Sequence, residues 1–461
     1  MPAMYFLYRI LTAVGMIVLA PYYALRSWRR GEPASTLRQR LGILPPEIAG
    51  RGREGTSEST KGSAAEGAIW IHAVSVGEVL AAKPLVEGLK RVCSGRRIFL
   101  STTTETGQRL ARERIQAADA VFYFPLDWVV PVRRALRAIR PSIVIVMETE
   151  IWPNFLREAR RMGIPVIFAN ARISERSFRR FEQWRFMVGP FYERVLQDAE
   201  QFLAQTDEDA ARLREMGAPE ERVEITGNLK YDAEPPAISR FGEWLATETS
   251  RQERWPVLVA GSVAAGEEEA VLAAYDFVQR KWRHALLVMA PRKPDRFDAA
   301  TEIAEAAGWH VVRRSRFQEG AALDENADVL VLDSIGELAG IYSLADAVFV
   351  GGSLVKSGGH NILEPAWFGR PPIFGGSMEN FREMADLFLS SRAGIQVSSG
   401  PMLGKVWVQL IDDTKEREKM SAAALAITER NRGATARSLE RIAAVLGEAG
   451  QATGHASKEH A

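Results

Sequence analysis

The chain has 461 residues, 46% of them apolar and 25% charged, which is enough for two α/β domains with ample core. A net charge of +1 excludes a globally basic protein, so no nucleic-acid partner is expected. The single cysteine, Cys93, excludes an intramolecular disulfide and any multi-cysteine metal site, and suits a reducing compartment.

Residues Met4 to Leu25 are almost wholly apolar, with Arg9 the one charge, and about twenty such residues span a bilayer. Arg26, Arg29, Arg30, Arg38 and Arg40 follow against one acid, Glu32. By the positive-inside rule that flank is cytoplasmic, and so is the rest of the chain. Residues 1–44 thus read as a single N-terminal membrane anchor with a basic juxtamembrane segment, crossing the bilayer or lying in its interface. A cleaved signal peptide fits less well, because arginines stand where small residues would mark cleavage. The stretch 45–67, rich in Gly, Ser, Glu and Pro, reads as a flexible linker or insertion, and 450–461 as a disordered tail.

Between them, short apolar runs alternate with helical patterns. AIWIHAV, RIFLST, AVFYFP, SIVIVM, PVIFAN, QFLAQT and VEITG make one series over residues 68–235. PVLVAGS, ALLVMAP, HVVRR, DVLVLD, DAVFVG, PPIFG and GIQVS make a second over 236–449. This alternation predicts two parallel sheets covered on both faces, facing a cleft, with ligands beyond the carboxyl ends of the strands.

Several strand ends carry chemistry. After the first strand, His72-Ala-Val-Ser75-Val-Gly-Glu78 fits the capping box S-x-x-E, and equally places a carboxylate where a general base could act. Glu148 and Glu150 follow the fourth strand, Arg172 the fifth and Lys230 the last of the first series. In the second half Arg292 and Lys293 form a proline-stiffened cationic turn suited to a phosphate or carboxylate. Ile335-Gly336-Glu337 opens a helix after VLVLD. The segment Phe349 to Arg370 ends a strand in paired glycines and opens another helix at Asn361-Ile362-Leu363-Glu364, an anion-friendly start. It is neither GxxxxGK[ST] nor a clean GxGxxG. Asp207-Glu208-Asp209 reads as helix-start decoration, and no histidines cluster, so no metal site is expected.

Taken in order, HAVSVGE, STTTETG, METEIWPN, ANARIS, TGNLKYD, APRKPDRF, GELAGIY, DAVFVGGSL and GGHNILEP resemble the 3-deoxy-D-manno-oct-2-ulosonic acid (Kdo) transferases of lipopolysaccharide biosynthesis. The likeness runs from the N-terminus to about Glu440; the 45–67 stretch is longer than usual there and the tail past Ala449 is an extension. The resemblance implies a GT-B glycosyltransferase with two Rossmann-like domains, the acceptor on the first and the donor, CMP-Kdo, on the second. It implies the lipid A precursor as acceptor at the cytoplasmic face of the inner membrane, and inverting transfer with no cofactor or bound metal. It casts Glu78 as general base, and Glu148 and Lys230 as transition-state stabilisers. Arg292, Lys293, Ile335, Gly336, Glu337, Asn361, Ile362, Leu363 and Glu364 become the CMP-binding set. Another GT-B transferase, a sugar-nucleotide epimerase or a non-catalytic nucleotide-binding scaffold are the alternatives from fold alone.

Overall fold

A computed structural model describes residues 4–10, 12–15, 34–49, 67–235, 237–318 and 320–456. All fourteen apolar runs are strands. The first seven are β1 Ala68–His72, β2 Ile98–Thr102, β3 Ala120–Tyr123, β4 Pro141–Met147, β5 Val166–Ala171, β6 Gln201–Ala204 and β7 Val223–Ile225. They form one parallel sheet in the order β3-β2-β1-β4-β5-β6-β7. The second seven are β8 Val257–Val263, β9 Leu286–Pro291, β10 Val311–Arg313, β11 Val329–Val331, β12 Ala347–Val350, β13 Pro372–Phe374 and β14 Ile395–Gln396. Their parallel sheet runs β10-β11-β9-β8-β12-β13-β14. Both faces of the central strands are sealed, with Ile69, Trp70 and Ile71 of β1 at 0% exposure. This is why these strands read as unbroken apolar runs instead of alternating ones.

The chain divides into two units, residues 1–233 with 431–461, and residues 234–430. The expected boundary at 449 therefore moves to about 430, because helix Ala434–Ala456 belongs to the first unit. Asp232 accepts the Gly433 amide at 2.6 Å, and Arg437 Nε donates to the Thr226 carbonyl at 2.8 Å. Ala434, Ile442 and Leu446 complete an apolar cluster with Val79, Ala82, Leu85 and Ile145 of that unit. Gly88 permits the contact, since a Cβ there would meet Leu439 Cδ1 at 2.4 Å. The tail expected to be disordered from 450 is helical to Ala456; 457–461 lie outside the described residues.

The N-terminal segment also differs from a free anchor over its described part. Residues 4–10 and 12–15 are helical, and their polar groups reach into the first unit. Tyr5 donates to Asp198 at 2.8 Å, Tyr8 to Asp127 at 2.9 Å, and Arg9 meets the buried Glu158 carboxylate at 2.6 Å. Among the described residues no helix is long and apolar enough to cross a membrane; 16–33, which include most of the basic flank, lie outside them. Arg40 is a structural contact, donating to the Thr103 carbonyl at 2.8 Å. The supposed linker begins in order, with Ile48 buried in the first unit's core, while 50–66 lie outside the described residues.

Candidate active site

In the first sheet the strand order reverses between β1 and β4, the point at which doubly wound sheets bind ligands. Glu78 and Glu148 stand just past the ends of these two strands. Glu78 sits in the first turn of helix Val76–Val92, capped by Ser75. Its amide donates to Ser75 Oγ at 3.4 Å, while its carboxylate accepts from the Val74 amide and Ser75 Oγ, both at 2.8 Å. A variant of the capping box therefore forms, with the reciprocal bond taken from the amide of Val74, one residue before the cap. It does not exhaust the carboxylate, because Glu78 also lines a cavity of about 550 Å³ together with Glu148 and Glu150. Burial, then repulsion from Glu148, pushes the Glu78 pKa up to about 7, and the same two causes raise that of Glu150.

Glu148 has φ 53°, a left-handed conformation that costs a non-glycine residue roughly 1–3 kcal/mol. Its amide is held by the Ala169 carbonyl at 2.9 Å, and its carboxylate faces Lys230 Nζ at 3.4 Å. Lys230 is aimed by a relay of amide side chains. Buried Asn170 accepts the Leu229 amide at 2.9 Å, and Asn228 accepts the Lys230 amide at 3.0 Å while donating to Gln205 at 2.8 Å. The structure thus gathers Glu78, Glu148 and Glu150 around one cavity and pairs Glu148 with Lys230. His72 is core: it stacks on Phe124 at 3.8 Å, and burial lowers its pKa to about 3. Asp209 of the acidic triplet is a tether, accepting the Ile173 amide at 2.7 Å and the Thr206 hydroxyl at 2.8 Å.

In the second sheet the order reverses between β8 and β12. Here the glycines expected to cradle a ligand serve the protein first. Glu267, at 0% exposure, accepts the amides of Ala264 (2.8 Å), Gly352 (2.6 Å), Ser353 (2.9 Å) and Leu354 (2.7 Å). Gly351 is required by this packing, since a Cβ there would stand 2.8 Å from Glu267 Oε2. Further along, Ser377 Oγ accepts the amides of Ser357 and Gly358. The amides of His360, Asn361 and Ile362 have no protein acceptor among the described residues. Beside them Arg292 Nη1 donates to Ser357 Oγ at 2.7 Å. Burial, then the Arg292 charge, lowers the His360 pKa to about 4, so its ring is neutral near pH 7.

Arg292 and the 351–362 loop are therefore brought together, with exposed Lys293 next in the chain. Asn361 accepts the Leu363 amide at 3.2 Å and donates to Glu364 at 3.4 Å, and burial raises the half-buried Glu364 to about 7. The helices expected at Glu337 and Asn361 are single turns, Leu338–Ile341 and Leu363–Ala366. Few aligned peptides stand behind them, so anion affinity rests on the cations and open amides more than on macrodipoles. Glu337 is tied down by Arg314 at 2.8 Å and by Ser334, which together outweigh the upward push of burial and keep its pKa low. Gly336 has φ 91° and Ile335 is 74% exposed, so in that segment the backbone and Ile335 face outward. Glu267 escaped the sequence reading because GEEE at a helix start looks like dipole decoration.

Comparison with known proteins identifies a family. The family described as 3-deoxy-D-manno-octulosonic-acid transferase (kdotransferase) matches residues 35–233. A 3-deoxy-D-manno-octulosonic acid transferase of Haemophilus influenzae is 34% identical over 383 residues, covering 81% of this chain and 86% of the relative. One of Bordetella pertussis is 33% identical over 442 residues, covering 93% and 97%. Among solved structures, Anabaena HepE in complex with UDP and glucose superposes with a TM-score of 0.53 over 83% of this chain and all of that one; at 12% identity this shows the fold alone. With two parallel-sheet α/β units and relatives matched along most of its length, the chain belongs to the 3-deoxy-D-manno-octulosonic acid transferases, glycosyltransferases of lipopolysaccharide biosynthesis.

Proposed function

We propose that the protein transfers Kdo from CMP-Kdo to the lipid A precursor, releasing CMP, at the cytoplasmic face of the inner membrane. In this reading the first unit supplies the base and the second holds the donor. An acceptor hydroxyl attacks the anomeric carbon of Kdo, Glu78 takes its proton, and the bond to the CMP phosphate oxygen breaks on the opposite face, inverting that centre. Lys230, steadied by Glu148, offsets negative charge near the reacting sugar. The leaving phosphate is met by Arg292, Lys293 and the open amides of residues 360–362, while Glu364 suits ribose hydroxyls, which are donors.

The observation that carries this reading is the place of the Glu78 carboxylate, lining a cavity at the reversal of the first sheet, where burial and Glu148 raise its pKa to about 7. A base is most effective when its pKa lies near the working pH. The test is mass spectrometry of the lipid after incubation with CMP-Kdo and the tetraacylated precursor, with UDP-sugars as competitors. A mass gain of one or more Kdo units, with CMP released, is expected; an unmodified lipid, or consumption of a UDP-sugar instead, overturns it.

A further inference from the structure

The cavity beside Glu78 is larger than a base needs, and its remaining lining is chemically divided. Besides the carboxylates it holds two guanidinium-bearing residues, Arg172 at the end of β5 and Arg180 on helix Glu175–Leu196. The same helix contributes Phe181, Trp184, Val188 and Tyr192, spaced so that they share one face. Phe181 is sealed at 6% exposure, whereas Trp184 is half exposed, so this apolar row leads from the cavity out to the surface. Within the row Phe181 meets Tyr192 edge to face at 5.5 Å. The backbone at Arg172 is pinned on both sides: its amide donates to Thr149 Oγ1 at 3.1 Å and that of Ile173 to Asp209 at 2.7 Å. A volume of about 550 Å³ suits a sugar-sized head group, and is too small for a head group and long chains together.

We infer that this cavity is the acceptor-reading site: Arg172 and Arg180 take an anionic group on the acceptor's head, and the Phe181–Trp184–Val188 row takes the start of an apolar chain that leaves along the helix. The acceptor is thereby selected as an anionic amphiphile. This rests on the proposed transferase reading and adds the residues that read the acceptor. Guanidinium groups match phosphate or carboxylate oxygens, and an aromatic row at a cavity mouth favours hydrocarbon over water. The carboxylates of Glu78, Glu148 and Glu150 would repel the same anion, which orients the head group with a hydroxyl toward Glu78 and its charge toward the arginines.

The test is equilibrium binding to the full-length protein without donor, so that it is independent of turnover. The probes are the tetraacylated disaccharide bisphosphate, its dephosphorylated form and its deacylated form. Arg180→Gln, at an exposed position, is expected to weaken the bisphosphate about tenfold and leave the dephosphorylated lipid unchanged. Trp184→Ala is expected to weaken both acylated lipids by about tenfold and leave the deacylated one unchanged. Equal losses for all three probes, or none, would overturn the assignment. Selective binding without any transfer from CMP-Kdo would instead overturn the transferase reading and leave this one standing.

Discussion

Two carboxylates hold corresponding places in the two units. Glu78 follows β1 and Glu267 follows β8, each at the start of the next helix. Glu267 accepts four backbone amides and is sealed from solvent. Glu78 accepts one amide and one hydroxyl, lines a cavity and has its pKa raised to about 7. The same residue type at the same topological point is thus a staple in one unit and a cavity-lining group with a raised pKa in the other. What separates them is saturation: four donors tie the Glu267 carboxylate into the backbone scaffold, whereas two donors and a neighbouring Glu148 leave that of Glu78 able to exchange a proton.

The contrast can be broken most severely at Glu78. Glu78→Gln can still accept the Val74 amide, so the fold is expected to persist while transfer slows roughly 10²- to 10⁴-fold. Near-normal turnover in the purified variant would make Glu78 a cap and nothing more. At the other end of the comparison, Glu267→Ala strands four amides in the interior and is expected to cost about 2–4 kcal/mol of stability, read as a lowered Tm, with the KM for CMP-Kdo raised. An unchanged Tm would show that the loop does not depend on that carboxylate. The subtlest change concerns pH. A base must be deprotonated to act, and with the Glu78 pKa near 7 turnover is expected to climb as pH rises through that value. Burial, the larger cause of the raised pKa, is left in place by Glu148→Gln, but the repulsion from Glu148 is removed, so the rising limb should move to lower pH. A limb that stays in place would detach the pH response from this pair.

Much of this was legible in the residues. The strands are sealed on both faces, so each appears as an uninterrupted apolar run, and the S-x-x-E box announced its own geometry. Glu148, Lys230, Arg292 and the 361–364 turn could be placed because α/β sheets expose strand ends at one edge. What was hidden depends on packing. ATARSLERIAAVLG shows a helical period, and a period does not say which core receives it. Gly351 looked like an allowance for a ligand, yet the space beside it is filled by the Ser262 carbonyl, Val263 and the Glu267 carboxylate. The row Phe181, Trp184 and Val188 marks an amphipathic helix, and only the folded chain shows that it borders the Glu78 cavity.

The return of helix Ala434–Ala456 to the first unit bears on the order of assembly. Of the two units, the one that begins earlier in the chain is finished later: its apolar groove waits for Ala434, Ile442 and Leu446 until all of residues 234–430 have been made. A message cut short near codon 430 would therefore yield an intact second unit attached to a first one with an open seam. Such a product exposes apolar surface of the first unit to quality-control proteases.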